Sequence, residues 1–338
     1  MMGRAPGFWS RPGSLAGLLL APIGWIVGQI TLRRMSGPSA SVPVPVICIG
    51  NPTVGGAGKT PTTLALIARL QVRGATPFAL LRGHGGSLAG PVRVDPATHD
   101  ATQVGDESLL LAAAAPTIVS RDRLAGARLA VSQGATHILM DDGFQNPSLR
   151  KDVSLLVIDG AAGIGNGHVL PAGPLRAPLV PQLKAADAVL VVGPGAAGAT
   201  VARAAERLGK GVLSGSVRPD PAVIAGLAGG AVLAFAGIGR PEKFAASLTA
   251  AGVTVAELRA FPDHHPYAEA EIAELAARAA IQGLRLVTTT KDMARLQGTP
   301  FARHRHAITV LPVEMDMEPA AVLDGLIATA EARATGQT

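Results

Sequence analysis

Residues 50–60 read GNPTVGGAGKT, and their reading decides the fold. The general phosphate-binding loop is G-x-x-x-x-G-K-[ST]. Here Gly58, Lys59 and Thr60 match its end, while Thr53 stands where the pattern has its leading glycine. The chemistry asks for less than the pattern: inward backbone N–H groups, small residues that admit phosphates, and a helix starting at the site. Gly55, Gly56, Ala57 and Gly58 meet the first two needs, and Thr53 and Val54 complete the loop. The apolar run 44–50 predicts the preceding strand, and residues 59–73 predict the following helix. Lys59 is expected to contact the β- and γ-phosphates of ATP, and the Thr60 hydroxyl to ligate Mg²⁺.

Such a loop needs a carboxylate at the end of a neighbouring strand. The run ATHILMDDGFQ supplies Asp141 and Asp142 behind an apolar stretch. Adjacent carboxylates there repel each other unless a cation or donor lies between them. In VGDESLLLAAAA, Asp106 and Glu107 open an Ala/Leu helix, where carboxylates also suit the helix dipole as plain capping groups. In FPDHHPY, Asp263, His264 and His265 sit between prolines in a short loop. A base that takes a proton from a hydroxyl is often a carboxylate or an imidazole; the same loop could equally be a metal site or polar surface.

Outward from the loop, strand-like runs at 44–50, 76–82, 136–141, 153–159, 187–193, 211–216, 231–237, 253–259, 285–290 and 307–312 alternate with helical segments. That alternation predicts parallel sheets covered by helices on both faces. The chain has 338 residues, of which 48% are hydrophobic and 16% charged, enough for two domains and a sizeable core. Gly/Pro-rich stretches at 160–181 and 218–231 interrupt the pattern, the second being the expected boundary between two α/β units. The single cysteine, Cys48, excludes an internal disulfide and reads as a buried, inert thiol.

The net charge of +6 is uneven. Residues 1–94 hold nine Arg or Lys and no acid, because Asp95 is the first acidic residue. An acid-free N-terminal part suggests an anionic counterpart: phosphates, a membrane surface or nucleic acid. Residues 14–32 are apolar and flanked by Arg4 and Arg11 on one side and Arg33 and Arg34 on the other. Pro22 and the arginines at both ends weaken a spanning helix. The pattern predicts a helix lying in or against a membrane, with Trp25 and the arginines at headgroup level. The competing expectation is a helix packed on the protein's own core.

In order, GNPTVGGAGKTP, LLRGHGG, VGDESLLLA, DDGFQN, GNGHVLPAGPLR, FAGIGRPEKF, FPDHHPY and TTTKDMARL closely resemble the tetraacyldisaccharide 4'-kinase (lipid A 4'-kinase) family of Gram-negative bacteria. The resemblance runs from about residue 14 to 312, and in that family the leading position of the loop is also Thr. It implies a P-loop kinase-like α/β/α core domain, a smaller α/β/α domain closing over the active site, and an N-terminal hydrophobic helix. The corresponding spans here are 1–36 for a membrane-associating helix, 37–225 for the nucleotide-binding domain and 226–338 for the smaller domain.

The implied activity is ATP- and Mg²⁺-dependent phosphorylation of the 4'-hydroxyl of a lipid A disaccharide 1-phosphate, on the cytoplasmic side of the inner membrane. Residue by residue, Asp106 is expected to be the base, partnered by His264, with Lys59 and Arg176 neutralising the transferring phosphoryl group. Thr60, Glu107, Asp141 and Asp142 are expected to serve the metal or its waters. Arg123, Gln145 and Asn146 are the candidates for the lipid's phosphate and sugar. No nucleic-acid partner and no obligate protein partner is implied. The chain departs from the family pattern at His84, Asn146 and Ala177, where Tyr, His and Glu are common.

Two other readings remain at the level of motifs. A P-loop switch GTPase usually carries N/T-K-x-D, and in Thr290-Lys291-Asp292-Met293 the Asp comes one place early. A partitioning-type ATPase carries a further lysine where Val54 stands. A membrane adaptor without catalysis would leave Lys59, Asp106, Asp142 and His264 without a purpose.

Overall fold

The computed structural model describes residues 6–296 and 301–336. Residues 1–5 of the expected membrane segment, Arg4 among them, and 297–300 and 337–338 of the expected second domain therefore lie outside the described residues. In chain order, the first part comprises α1 (Leu15–Met35), β1 (Val46–Gly50), α2 (Lys59–Val72), β2 (Pro77–Leu81), β3 (Val92–Arg93), α3 (Ala101–Val104), α4 (Asp106–Ala112) and β4 (Thr117–Val119). It continues with α5 (Arg123–Ser132), β5 (His137–Asp141), β6 (Val153–Asp159), α6 (Leu179–Ala185), β7 (Ala188–Val192), α7 (Ala196–Glu206) and β8 (Gly211–Pro219). The second part comprises α8 (Pro221–Leu227), β9 (Ala231–Ala236), α9 (Pro241–Ala250), β10 (Thr254–Ala260), α10 (Glu269–Ile281), β11 (Arg285–Thr289), α11 (Thr290–Arg295) and β12 (Ile308–Leu311). The chain ends with β13 (Val313–Glu318) and α12 (Ala320–Ala334).

A nine-stranded sheet has the order β13-β8-β7-β6-β1-β5-β2-β4-β3, and a four-stranded sheet has the order β10-β9-β11-β12. The central strands β2, β5, β1, β6 and β7 run parallel. They are buried on both faces, which is why they read as continuous apolar runs rather than alternating ones. In β1, Ile47 and Ile49 join Leu66 and Leu155 in the core on one face, while Val46 and Cys48 join Phe78 and Ile138 on the other. Cys48 is fully buried, and desolvation pushes its thiol up to about 12, so it is inert as expected.

Two edges depart from an all-parallel sheet. β3 pairs antiparallel with β4, and β13 pairs antiparallel with β8. The second pairing changes the division of the chain. The sequence assigns residues 226–338 wholly to the smaller unit, yet β13 and α12 return to the large sheet. Met315, Leu323 and Ile327 bury themselves in its core. The second sheet thus spans Ala231–Leu311 and is inserted between β8 and β13.

Helix α1 carries on through Pro22 and is capped by Ser14, whose Oγ accepts from Gly17 N at 3.1 Å. Its buried residues are Gly17, Gly24 and Gly28. They let the helix lie directly on residues 166–178: a Cβ on Gly24 would stand 2.5 Å from Val169 O, and one on Gly28 3.1 Å from Pro178 Cδ. Leu15, Leu18, Leu19, Ile23, Trp25, Ile26 and Ile30 stay exposed. One edge of the helix thus packs on the protein, and the remainder is a bare apolar face.

Candidate active site

The phosphate loop runs from the end of β1 to the start of α2, and the ends of β5 and β6 flank it. Ile49 pairs with Asp141, and Gly50 with Leu156, so Asp141 and Asp159 emerge on either side of the loop. Ligands of open parallel sheets bind at this carboxyl edge. The positive φ angles fall at Gly55 (108°) and Gly58 (98°), which only glycine adopts without strain. Thr53 instead forms an antiparallel bridge with Leu175, and Val54 N donates to Pro174 O at 2.9 Å. That bridge is a conformation a β-branched residue favours, so Thr at the leading place fits the backbone. A Cβ on Gly55 or Gly56 would meet no protein atom within 4 Å. The loop is therefore open at these two glycines, next to the start of a helix, as a phosphate site requires.

Lys59 opens α2, and its Nζ donates to Asn51 Oδ1 at 3.2 Å and stands 3.8 Å from Asp142 Oδ1. Arg176 grips Asp142 with Nη2 on Oδ2 at 3.0 Å and Nη1 beside Oδ1 at 2.9 Å, and its Nε donates to Thr53 O at 3.2 Å. Burial opposes the charge on Asp142, but Lys59 and Arg176 outweigh it and hold the carboxyl below its usual range. Asp141 has the opposite environment. It is 2% exposed and both carboxylate oxygens lack a hydrogen-bond partner. Desolvation, and then repulsion from Glu107, push it up to about 8. An orphaned buried carboxylate beside a phosphate cradle and the Thr60 hydroxyl has the donor chemistry of a Mg²⁺ site. Among the described residues, no three acidic or histidine side chains form a preformed metal cage. That suits Mg²⁺, which takes one or two carboxylates and otherwise waters and phosphates.

The second domain reaches into this cleft. His264 Nδ1 lies 3.0 Å from Asp106 Oδ2, joining residues 158 apart in sequence. His264 has a φ of 57°, uncommon outside glycine, and it stacks edge-on with His84 at 5.8 Å between ring centroids. Arg295 of α11 places Nε on the same Asp106 oxygen at 2.7 Å, with a second bond from Nη2. Its Nη1 reaches Asp292 Oδ1 at 2.9 Å, and Asp292 also accepts from Tyr267 Oη at 2.8 Å and Gly237 N at 2.8 Å. Burial disfavours the Asp106 charge, but His264, Lys291 and Arg295 prevail and keep it ionised well below the ordinary carboxylate range. Asp106 Oδ2 is thus saturated, whereas Oδ1 carries only Glu107 N at 2.9 Å. Lys291 Nζ donates to Glu107 Oε1 at 2.8 Å, and it keeps Glu107 ionised against the effect of burial.

The structure therefore gathers Lys59, Thr60, Asp106, Glu107, Asp141, Asp142, Arg176 and His264 around one cleft. The remaining expected residues sit differently. Arg123 is 3% exposed, its Nε has no partner, and desolvation followed by the nearby Arg82 brings it down to about 10. Gln145 bridges Asn51 O and Gln182 Oε1, both at 3.0 Å, in the floor under the loop. Asn146 spends its side-chain oxygen on Ser148 N at 2.9 Å and Ser148 Oγ at 2.7 Å, a turn-forming role. Ala177, where the family often has Glu, is fully buried.

Sequence reasoning gave no role to Asn51, Asp159, Arg240, Lys291 or Arg295. Asn51, Arg240, Lys291 and Arg295 lie in motifs already quoted and Asp159 ends a strand-like run, but only folding reveals that cations of the second domain meet carboxylates of the first. Asp292, the residue a guanine-reading loop would use, is 0% exposed and committed to Arg295, Tyr267 and Gly237.

A family model described as tetraacyldisaccharide-1-P 4'-kinase matches residues 16–331. The tetraacyldisaccharide 4'-kinase of Azorhizobium caulinodans is 64% identical over 338 residues, covering 100% of both chains. That of Xanthobacter autotrophicus is 59% identical over 336 residues, covering 98% of each. The crystal structure of LpxK from Aquifex aeolicus in complex with ATP superposes with a TM-score of 0.72 at 24% identity, covering 94% of this chain and 100% of that chain, and has the same fold. With matches of this extent and identity, the chain belongs to the tetraacyldisaccharide-1-phosphate 4'-kinase family.

Proposed function

We propose that the chain transfers the γ-phosphoryl group of ATP, with Mg²⁺, to the 4'-hydroxyl of tetraacyldisaccharide 1-phosphate, forming lipid IVA in lipid A biosynthesis. The observation that carries this reading is the Asp106–His264 contact of 3.0 Å across the cleft, beside an open phosphate loop. It brings a proton acceptor to the mouth of a phosphate donor site. The family supports the acceptor, and the ATP bound to LpxK from Aquifex aeolicus supports the donor.

In this reading Lys59 and the loop N–H groups bind the β- and γ-phosphates. Mg²⁺ would be held by Thr60 and Asp141, with Glu107 and Asp142 serving its waters, and would supply charge neutralisation for the phosphates. Asp106 and His264 act as one unit that takes the proton of the 4'-hydroxyl as its oxygen bonds to phosphorus and the bond to ADP breaks. Arg176 neutralises the moving phosphoryl group. Arg123, with an unpartnered Nε, serves the lipid's phosphate. The base is completed only when His264 arrives with the second domain, which limits hydrolysis of ATP by water.

The bare apolar face of α1 supports peripheral attachment to the membrane that holds the acceptor. We place that attachment on the cytoplasmic face of the inner membrane, where ATP is supplied. The three-part division of the chain, amended for the return of β13 and α12, serves the same end.

The test is transfer of label from [γ-³²P]ATP to a tetraacyldisaccharide 1-phosphate in detergent. Labelled lipid is expected; ADP release without labelled lipid sinks the reading. Asp106→Asn and His264→Gln should each lower kcat by roughly 10²–10⁴-fold with little change in KM.

A further inference from the structure

The segment Gly237–Arg240, between β9 and α9, touches both halves of the site. At its start, Gly237 O accepts from His264 N at 3.0 Å and from Arg295 Nη1 at 2.6 Å, and Gly237 N donates to Asp292 Oδ1 at 2.8 Å. Its place is thus set by the side chains that hold Asp106. At its end, Arg240 Nη2 donates to Gly56 O of the phosphate loop at 3.0 Å, and Nη1 donates to Asp159 Oδ1 at 3.0 Å, with a further bond from Nη2 to Asp159 Oδ2. Between them Gly239 lies alongside the loop, where a Cβ would meet Asp263 Oδ2 at 3.4 Å and Gly56 N at 4.0 Å, both ordinary van der Waals distances.

Asp159 is a firm anchor for this contact. Its side chain is 7% exposed, and it also accepts from Ala162 N at 2.8 Å and Lys243 Nζ at 3.0 Å. Burial disfavours its charge, but Arg240 and Ala162 N bring its pKa down to about 2. A planar trans peptide points its C=O and N–H in opposite directions. Holding the Gly56 carbonyl against Arg240 therefore turns the Ala57 N–H the other way, away from the second domain's arginine. A guanidinium can span a carboxylate and a carbonyl at once, which an ammonium cannot do with the same geometry.

We propose that Arg240 is a positioning residue for the transfer reaction. It fixes the phosphate loop at Gly56 and, through Gly237–Arg240, holds that loop in register with the Asp106–His264 pair. The proposal deepens the kinase reading and rests on it. Arg240 needs no contact with the substrates; it sets the distance between donor and base, to which rates respond steeply.

The experiment compares the full-length protein with Arg240→Gln, Arg240→Lys, Asp159→Asn and the Arg240→Gln/Asp159→Asn double variant. Each is assayed for kcat, acceptor KM, binding of a fluorescent ATP analogue, and unfolding midpoint. Arg240→Gln is expected to lower kcat about tenfold while acceptor KM stays within about threefold. Arg240→Lys should not restore kcat, and the double variant should be no slower than the slower single one, since the pair acts as a unit. Unchanged kcat, rescue by Lys, or losses that multiply in the double variant overturns the proposal. If the wild-type chain labels no lipid while Arg240→Gln still alters nucleotide binding, the kinase reading has failed and the loop contact stands.

Discussion

Replacing Arg295 by Met tests the cross-domain network at its most buried point. Its side chain is 5% exposed, and it faces Asp106 at 5% and Asp292 at 0%. Removing one partner of such a buried pair typically costs about 3–5 kcal/mol, because the carboxylates are left charged and unpaired. Here both keep other donors. Asp292 retains Gly237 N, Tyr267 Oη and Thr289 Oγ1 at 2.6 Å, and Asp106 retains His264 and Glu107 N. The expected loss is therefore at the lower end, about 3 kcal/mol. At roughly 2–4 °C per kcal/mol, the melting midpoint should fall by about 6–12 °C. Since Asp106 is aimed by the same guanidinium, kcat should fall by roughly 10²-fold even at temperatures where the variant is folded. Arg295→Lys should recover part of the midpoint, because it restores one charge, but not the rate, because it cannot serve both carboxylates. Calorimetry and the labelled-lipid assay measure the two effects. A midpoint within about 2 °C of the wild type, with kcat within twofold, would falsify the view that Arg295 holds Asp106 in place.

Other perturbations act at separate points. Lys59→Met should lower turnover by roughly 10³-fold without altering the circular dichroism spectrum, since Lys59 is 11% exposed beside Asp142 and serves charge rather than packing; near-normal turnover would make the loop structural. Gly24→Leu should push α1 off residues 166–178, because the added Cβ starts 2.5 Å from Val169 O, at a cost of about 1–3 kcal/mol. An unchanged melting midpoint would show that the helix does not pack there. Asp159 has its folded pKa at about 2, below the ordinary 3.8. Its contribution is complete above the unfolded value and disappears as pH falls from about 4 to about 2. Asp159→Asn should flatten the acid-side stability curve over that window, and parallel curves would refute the assignment.

Local pattern made much of the core legible. VPVICIG, GKTPTTLALI and HILMDD carry their own periodicity and turn chemistry, so a strand, loop and helix with carboxylates alongside could be read directly. What escaped was anything set by long-range pairing. VEMDME has a strand's alternation, but no local feature says that it runs antiparallel to residues 214–219 in the other sheet. The cations at 240, 291 and 295 look like ordinary helix-end residues in sequence. Their importance comes from pairing with acids 81, 184 and 189 positions away, and a linear pattern holds no trace of that distance. Gln145 and Asn146 show the converse. Their position in DDGFQN invited a substrate role, while the fold gives each of them backbone or turn partners.

The antiparallel pairing of β8 with β13 also bears on how the two sheets are joined. The chain leaves the large sheet at Pro219 and returns at Val313, and these two residues are paired directly. Just beyond them, Asp220 N donates to Pro312 O at 3.0 Å. The two crossings are thus one ribbon rather than two separate tethers. The ladder hydrogen bonds resist sliding of one crossing past the other, so the two sheets are joined through a single connection. Arg240, His264, Lys291 and Arg295 all lie on the chain between these crossings, so all four meet the carboxylates of the large sheet through that one connection.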